Sequence, residues 1–305
     1  MKVQRPGRTV LMISVTLPAV LVIVLAAIFL PPLFADVRIS FDRFDDAPLS
    51  VMARIRLNEP GQVQLRVESI EGPDLRSDWT AAAEIHELPV VGLYPDHGNR
   101  VTFRVRYADG SIAETERILQ TPELPDIYPE LQIRTRLDDR VSDGLLLLHL
   151  AAYDDEGEYI PLASVVDNYG RVRWFYSEPF GHVLEPLENG ELMIHREDRL
   201  LQMDWLGRIP WEGFSVAEEV HHDAAELPDG NILALSAMPD SVDDALVKID
   251  RNSGEELLRI NFQQMLDPER PREPISLDDR DWLHLNGFDY NPVDGSVIAS
   301  GRDQS

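Results

Sequence analysis

Residues 221–235 read HHDAAELPDGNILAL: two histidines, a short polar strand, an Asp-Gly turn and a second, apolar strand. The same order occurs twice more, in GHVLEPLENGELMI (181–194) and HLNGFDYNPVDGSVIAS (284–300). His182 and His222 each lie eight residues before their turn glycine, Gly190 and Gly230, whereas His284 lies eleven before Gly295. A histidine held ahead of a repeated hairpin implies a radial β-repeat, whose equivalent strands carry imidazoles towards one axis.

A second turn alternates with the first. Asp167-Asn168-Tyr169-Gly170, Asp204-Trp205-Leu206-Gly207 and Asp250-Arg251-Asn252-Ser253-Gly254 each separate two apolar strands. Alternating hairpins predict four-stranded units of about 40–50 residues, the size of a propeller blade. Residues 126–305 are therefore expected to form part of a β-propeller. An insertion from Asn261 to Asp281 interrupts the third unit, and its Phe262–Leu266 is expected to make one helical turn. Only roughly three and a half units fit, where propellers need about 4–8 blades. The chain is expected to be an N-terminal fragment that continues beyond Ser305, inactive by itself.

Upstream, residues 36–125 read as a small all-β domain. VRISFDRF, VMARIRL and VQLRVESI alternate apolar and polar residues, with Asn58-Glu59-Pro60-Gly61 as a break between the last two. VTFRVRYADGSIAETERI adds a hairpin around Ala108-Asp109-Gly110. Short, evenly spaced strands predict a β-sandwich of immunoglobulin or fibronectin type. TPELPDIYPEL (121–131) reads as a stiff linker.

The first 35 residues differ from all of this. Lys2, Arg5 and Arg8 precede an apolar run from Thr9 to Ala35. That run exceeds the roughly 20 residues a spanning helix requires. Its Leu33-Phe34-Ala35 end is a poor cleavage site, so a retained anchor is favoured over a cleaved signal. The basic flank orients everything after Asp36 outwards, which makes the expected location membrane-anchored and extracytoplasmic.

The formal net charge is −26, with Lys2 and Lys248 the only lysines. Such a surface repels nucleic acid. No cysteine is present, which excludes thiol catalysis, iron–sulfur clusters and cysteine zinc sites. P-loop, Rossmann, G-x-S-x-G and H-E-x-x-H fingerprints are absent as well.

Candidate chemistry gathers in DWLHLN (281–286) and GRDQS (301–305). On an extended strand His284 and Asn286 share a face, and a hairpin returns Arg302 beside them. Imidazole, carboxamide and guanidinium together suit a tetrahedral oxyanion. Only one of His221 and His222 can enter a shared site, and the spacing to Gly230 selects His222. A zinc set of His222, His284 and Asp223 is the alternative, but Arg302 would repel a metal, so no metal is expected. His182 reads as a rim position and His195 as a solvated turn residue. Trp174, Trp205, Trp211 and Trp282 read as packing residues; Trp282, beside His284, is also a candidate for lining an aromatic substrate pocket.

HHDAAELPDGN, DWLHLNGFDYNPVDGSVIASGRDQS and, upstream, LPVVGLYPDHGNRVTFRV with TPELP resemble the bacterial arylsulfate sulfotransferases. The resemblance spans residues 36–305 and implies a β-sandwich followed by a six-bladed propeller. It implies PAPS-independent, ping-pong transfer of a sulfuryl group from an aryl sulfate to a phenol through a sulfated histidine, with no cofactor. His222, His284, Asn286 and Arg302 fall on positions that surround the sulfate in that family. His222, His284 and Arg302 are then catalytic candidates, with Asn286 and Trp282 binding substrate. The resemblance puts the nucleophilic histidine beyond Ser305. Asp303 stands where the family usually has histidine, and is expected to point away from Arg302 on the alternate face. The family's occasional cysteine pair is missing. The alternatives are an anchored propeller that binds sulfated or anionic ligands without turnover, and a metal-dependent phosphatase or sulfatase; a homodimer is an admissible assembly.

Overall fold

The computed structural model describes residues 37–303 apart from 138–139, 142–143, 155, 197–198, 216–219, 239–240, 268 and 270–279. The described residues are almost wholly β, with one helical turn, Phe262–Met265, capped by the Asn261 side chain. The apolar run Thr9–Ala35 lies outside the described residues. Among those described, no helix is long and apolar enough to cross a membrane.

The first domain contains β1 (Arg38–Arg43), β2 (Val51–Val67), β3 (Leu75–Arg76), β4 (Ala83–Val90), β5 (Gly98–Tyr107) and β6 (Ile112–Gln120). They form one antiparallel sheet in the order β1-β2-β5-β6, with β3 and β4 also paired to β2. The break expected at Asn58–Gly61 does not occur: β2 runs through it as a 17-residue strand. Its first half lies between β1 and β4, and its second between β3 and β5. Pairing with β4 slips after Arg56, where Pro60 has no N–H to give, and the partner changes at Gly61. A Cβ on Gly61, where the strand curls, would lie 2.9 Å from Val105 Cγ1 and 3.1 Å from Leu57 Cδ1, so any side chain there would have to push these two aside. The curl wraps both halves around one core of Val51, Ile55, Val63, Leu65, Val101 and Phe103. Two sheet faces thus close over a single bent strand rather than as separate sheets.

Four further antiparallel sheets follow. The first holds β7 (Leu145–Tyr153), β8 (Tyr159–Asp167) and β9 (Val172–Phe175). The second holds β10 (Leu184–Pro186), β11 (Leu192–Arg196), β12 (Arg199–Met203) and β13 (Trp211–Ser215). β14 (Val220–Glu226), β15 (Ile232–Met238), β16 (Ser241–Ile249) and β17 (Glu256–Asn261) make the third. The last pairs β18 (Leu285–Tyr290) with β19 (Val297–Gly301). Both predicted turn types join these strands. In the second type, Asp167, Asp204 and Asp250 each accept the backbone N–H two residues on, at 2.9 Å.

Each sheet packs a face against the next. Val165 and Trp174 meet Leu192, Ile194 and Met203; Met193 and Leu200 meet Val220, Ala234 and Val247. Leu233, Leu235 and Leu246 meet Leu283 and Leu285. This stacking sets the leading strands β10, β14 and β18 side by side. The Pro-rich linker is more than a spacer, because Leu124, Tyr128 and Leu131 pack on Val166, Val172 and Phe175.

Arg173 joins the two domains. Its side chain is 2% exposed, donates to Gly92 O at 2.8 Å and to Tyr94 Oη at 2.9 Å, and lies 3.7 Å from the Asp167 carboxylate. A buried guanidinium is tolerated only with such partners, and they come from both domains.

Candidate active site

Histidine is at neither a turn nor a regular strand position in β14 and at the start of β18. His222 has φ 54° and His284 φ 52°, left-handed values that an L residue with a Cβ seldom adopts. His222 lies where the ladder slips, between Val220 and Ala224 in β14, and His284 stands immediately before β18, whose own ladder slips between Leu285 and Gly287. A strand with perfect alternation would turn successive side chains to opposite faces. The left-handed residue resets that alternation and leaves the two rings with centroids 5.4 Å apart.

The file of rings is longer than expected. His182 lies 4.8 Å from His222, and His149 lies 6.0 Å from His182. Tyr159 runs parallel to His182 and its hydroxyl meets His149 Nε2 at 3.2 Å. Four successive sheets therefore each contribute one imidazole: His149, His182, His222 and His284.

Arg302 closes the file at the His284 end. Its Nη1 donates to His284 Nε2 at 3.1 Å and its Nη2 to Asp281 Oδ2 at 3.1 Å. Asp281 Oδ1 lies 2.8 Å from His284 Nδ1. Asp281 thus holds both partners, with its side chain 4% exposed. Guanidinium only donates, so His284 Nε2 accepts and Nδ1 carries the proton that bonds Asp281. The main chain assists, since Arg302 N bonds His284 O at 2.9 Å.

Asp303 does not point away. Its fully buried carboxylate accepts Arg302 Nε at 2.9 Å. The alternate-face rule fails because Arg302 and Asp303 follow the end of β19 in a turn. The Asp303 hydrogen bond, with the charges of Asp303 and Asp281, pushes the guanidinium pKa up. Arg302 keeps two of its five N–H donors uncommitted among the described residues, so its grip on an added oxyanion is shared with two carboxylates.

Burial, then His182, His284, Arg302 and His149, pushes His222 down to about 4. His221, packed edge-on behind it and buried, is pushed down to about 3 by burial and then by His222. Burial and His182 lower His149 as well. At neutral pH these are uncharged imidazoles, able to take a proton or offer a lone pair.

The other predicted residues are placed less centrally. Asn286 sits in the β18 bulge and is exposed, so it does not share a regular strand face with His284. Trp282 packs on the apolar cluster of Leu233, Leu246 and Leu283. His195, expected in solvent, is 5% exposed on β11. Among the described residues, no three metal-ligating side chains converge. Neither Asp281 nor His149 is marked out by the sequence. Asp281 acts through an irregular segment that spacing rules do not reach, and LLLLHLAAY reads as a core strand.

A cavity of about 680 Å³ opens among β10, β14 and β18, lined by Glu185, Asp223, Glu226, Leu227, Phe288 and Tyr290 among others. Burial, then Asp223, pushes Glu185 up to about 7. None of the four file histidines lines it.

Two family models match the chain. One, described as the arylsulfotransferase Ig-like domain, covers residues 40–122. The other, described as arylsulfotransferase (ASST), covers residues 132–305. No individual curated protein matches. With more than half of its length under the second model, the chain belongs to the arylsulfotransferase family.

Proposed function

We propose that this protein moves a sulfuryl group from an aryl sulfate to a phenol, without a nucleotide donor and by way of a sulfated histidine. The four stacked sheets are read as successive blades of a β-propeller with the histidine file along its axis. What supports this is the convergence of His222, His284 and Arg302 from separate sheet segments, with Asp281 fixing the last two.

The chemistry follows from the groups present. A transferring sulfuryl group spreads negative charge over its equatorial oxygens, and preorganised donors stabilise that charge. Arg302 supplies N–H groups and Asn286 a carboxamide. A histidine nitrogen attacks sulfur, and as the N–S bond forms the aryl S–O bond breaks and the departing phenolate takes a proton. In the second half-reaction the acceptor phenol oxygen attacks sulfur, the N–S bond breaks to free the histidine, and the phenol loses its proton. His222, neutral when the site is empty, takes up a proton as the anionic donor binds, gives it to the departing phenolate and, neutral again, accepts one from the phenol. Family resemblance and the run Thr9–Ala35 support a membrane-anchored, extracytoplasmic location, where nucleotide-dependent chemistry would lack its cosubstrate.

The test uses the full-length gene product with an aryl sulfate donor and a phenol acceptor. Sulfated phenol should form without added nucleotide, and the protein quenched with donor alone should gain one acid-labile sulfuryl group on histidine. Saturable binding without turnover favours a binding module instead. Transfer unchanged in both His222→Ala and Arg302→Ala overturns the assigned roles.

A further inference from the structure

The two left-handed histidines belong to different sheets. Leu233, Leu235 and Leu246 pack against Leu283 and Leu285 in the apolar cluster between them. Dispersion holds such side chains together but is not directional, whereas a hydrogen bond between the strands adds a fixed direction.

One hydrogen bond does this. Asp223 Oδ2 accepts from the backbone N–H of Phe288 at 2.7 Å, across 65 residues of sequence. Asp223 directly follows His222. Phe288 lies four residues after His284 and two after Asn286. The bond therefore ties the two strands next to His222 and four residues along from His284.

Its position within the ladders is informative. In β14 the pairing to β15 is lost between Val220 and Ala224, and Asp223 lies in that gap. In β18 the pairing to β19 slips between Leu285 and Gly287, one residue before Phe288. Where each strand is loosest within its own sheet, the carboxylate links it to the neighbouring sheet. A Cβ on Gly287 would lie 3.5 Å from Asp223 Oδ2, so the carboxylate sits directly over this bulge.

We infer that Asp223 is a positioning residue, which holds the His284–Asn286 segment of β18 against His222 through the Phe288 N–H. It does not touch the reacting atoms; it sets the separation of the two imidazoles that do. Burial raises the Asp223 pKa while the Phe288 and Ala224 N–H groups lower it, as expected of a carboxylate enclosed by backbone donors.

The inference rests on the proposed transfer only for its kinetic readout. The experiment records the ring ¹⁵N and ¹H resonances of His222 and His284 in the full-length protein, beside kcat and KM for aryl sulfate. Asp223→Leu keeps the branching at Cγ in a larger side chain and removes the acceptor, and Asp223→Ala serves if the leucine variant does not fold. Asp223→Asn keeps a carbonyl oxygen for Phe288.

The acceptor-less variants should shift both rings and lower kcat by about 10–100-fold, with KM changed far less, as misplacement by a fraction of an ångström implies. Asp223→Asn should bring back the wild-type ring positions and most of kcat. Rings unmoved in the acceptor-less variant, or displaced equally in the asparagine variant, overturn the inference. If the wild-type protein transfers no sulfuryl group, the proposed function fails, and the ring resonances still decide the role of Asp223.

Discussion

His284 Nε2 and Arg302 Nη1 stand 3.1 Å apart, in a contact where only the guanidinium can donate. This one geometry sets the tautomer of His284, and Asp281 completes it by taking the Nδ1 proton at 2.8 Å. The Arg302 face of the ring is thus defined by a lone pair and the opposite face by a proton. Asp281 therefore governs the site although it lies below the surface.

Asp281→Asn tests that claim. An amide can present its NH₂ to His284 Nδ1 and drive the proton to Nε2, where it faces Arg302 N–H groups. Transfer should fall about 100-fold or more, in the range expected when a proton-transfer group is misassigned. Stability should fall by about 1–3 kcal/mol, since Asp303 still compensates Arg302. Steady-state kinetics with urea denaturation reads both. Wild-type kcat in a folded variant would remove Asp281 from the mechanism.

Oxyanion binding should carry a proton with it. The empty site holds His222 near 4, and an anion beside the ring favours its charged form and raises that value. Inorganic sulfate should bind more tightly as pH falls from the raised value of the complex towards about 4. Calorimetry at pH about 5.5 in two buffers of different ionisation heat should show net proton uptake. Binding with no proton exchange, or tighter at higher pH, contradicts the assignment.

Acid should destabilise the fold through His221. Above the ordinary imidazole value of 6.5 the ring is neutral in both folded and unfolded chains, and it adds no pH dependence. Below it the unfolded chain takes up a proton that the native ring refuses until about 3. Stability should therefore decline from pH 6.5 downwards, by up to about 1.4 kcal/mol per pH unit from this one buried residue. Denaturation curves between pH 5 and 6.5 should be flatter for His221→Gln.

Glu185 should act with the opposite sign. Its folded value, about 7, lies above the ordinary 4.5, so the unfolded chain gives up the proton first as pH rises. Its contribution is present below pH 4.5 and is lost as pH rises through about 7. Glu185→Gln should remove that loss and leave the protein more stable at pH 8 relative to pH 5 than the wild type. An unchanged ratio refutes the raised value.

Much of this was legible in residue order. Period-two alternation and the Asp-Gly turns located the strands, and the constant interval from His222 to Gly230 separated it from His221. What escaped depended on departures from regular strand geometry. Pro60 and Gly61 read as a break because local signals cannot show that β2 changes partner there. Alternation puts Asn286 beside His284, and the left-handed His284 and the adjacent bulge cancel it. The same rule sends Asp303 outwards, in a turn where it does not apply.

Gly301 supplies the most local test of how the site is assembled. It ends β19, pairs with Leu285 and immediately precedes Arg302. A Cβ built there would lie 2.3 Å from Leu283 Cδ1 and 3.1 Å from Leu283 O. The leucine tip can rotate away, but the carbonyl cannot, because Asp303 N bonds it at 3.1 Å. Gly301→Ala must then push the two strands apart and carry Arg302 from His284. Stability should drop by about 1–3 kcal/mol, the usual cost of overpacking. Adding Leu283→Ala should relieve only the side-chain clash, so stability should recover in part while transfer stays low. Full recovery of transfer in the double variant would show that the backbone approach of Gly301 does not set the position of Arg302.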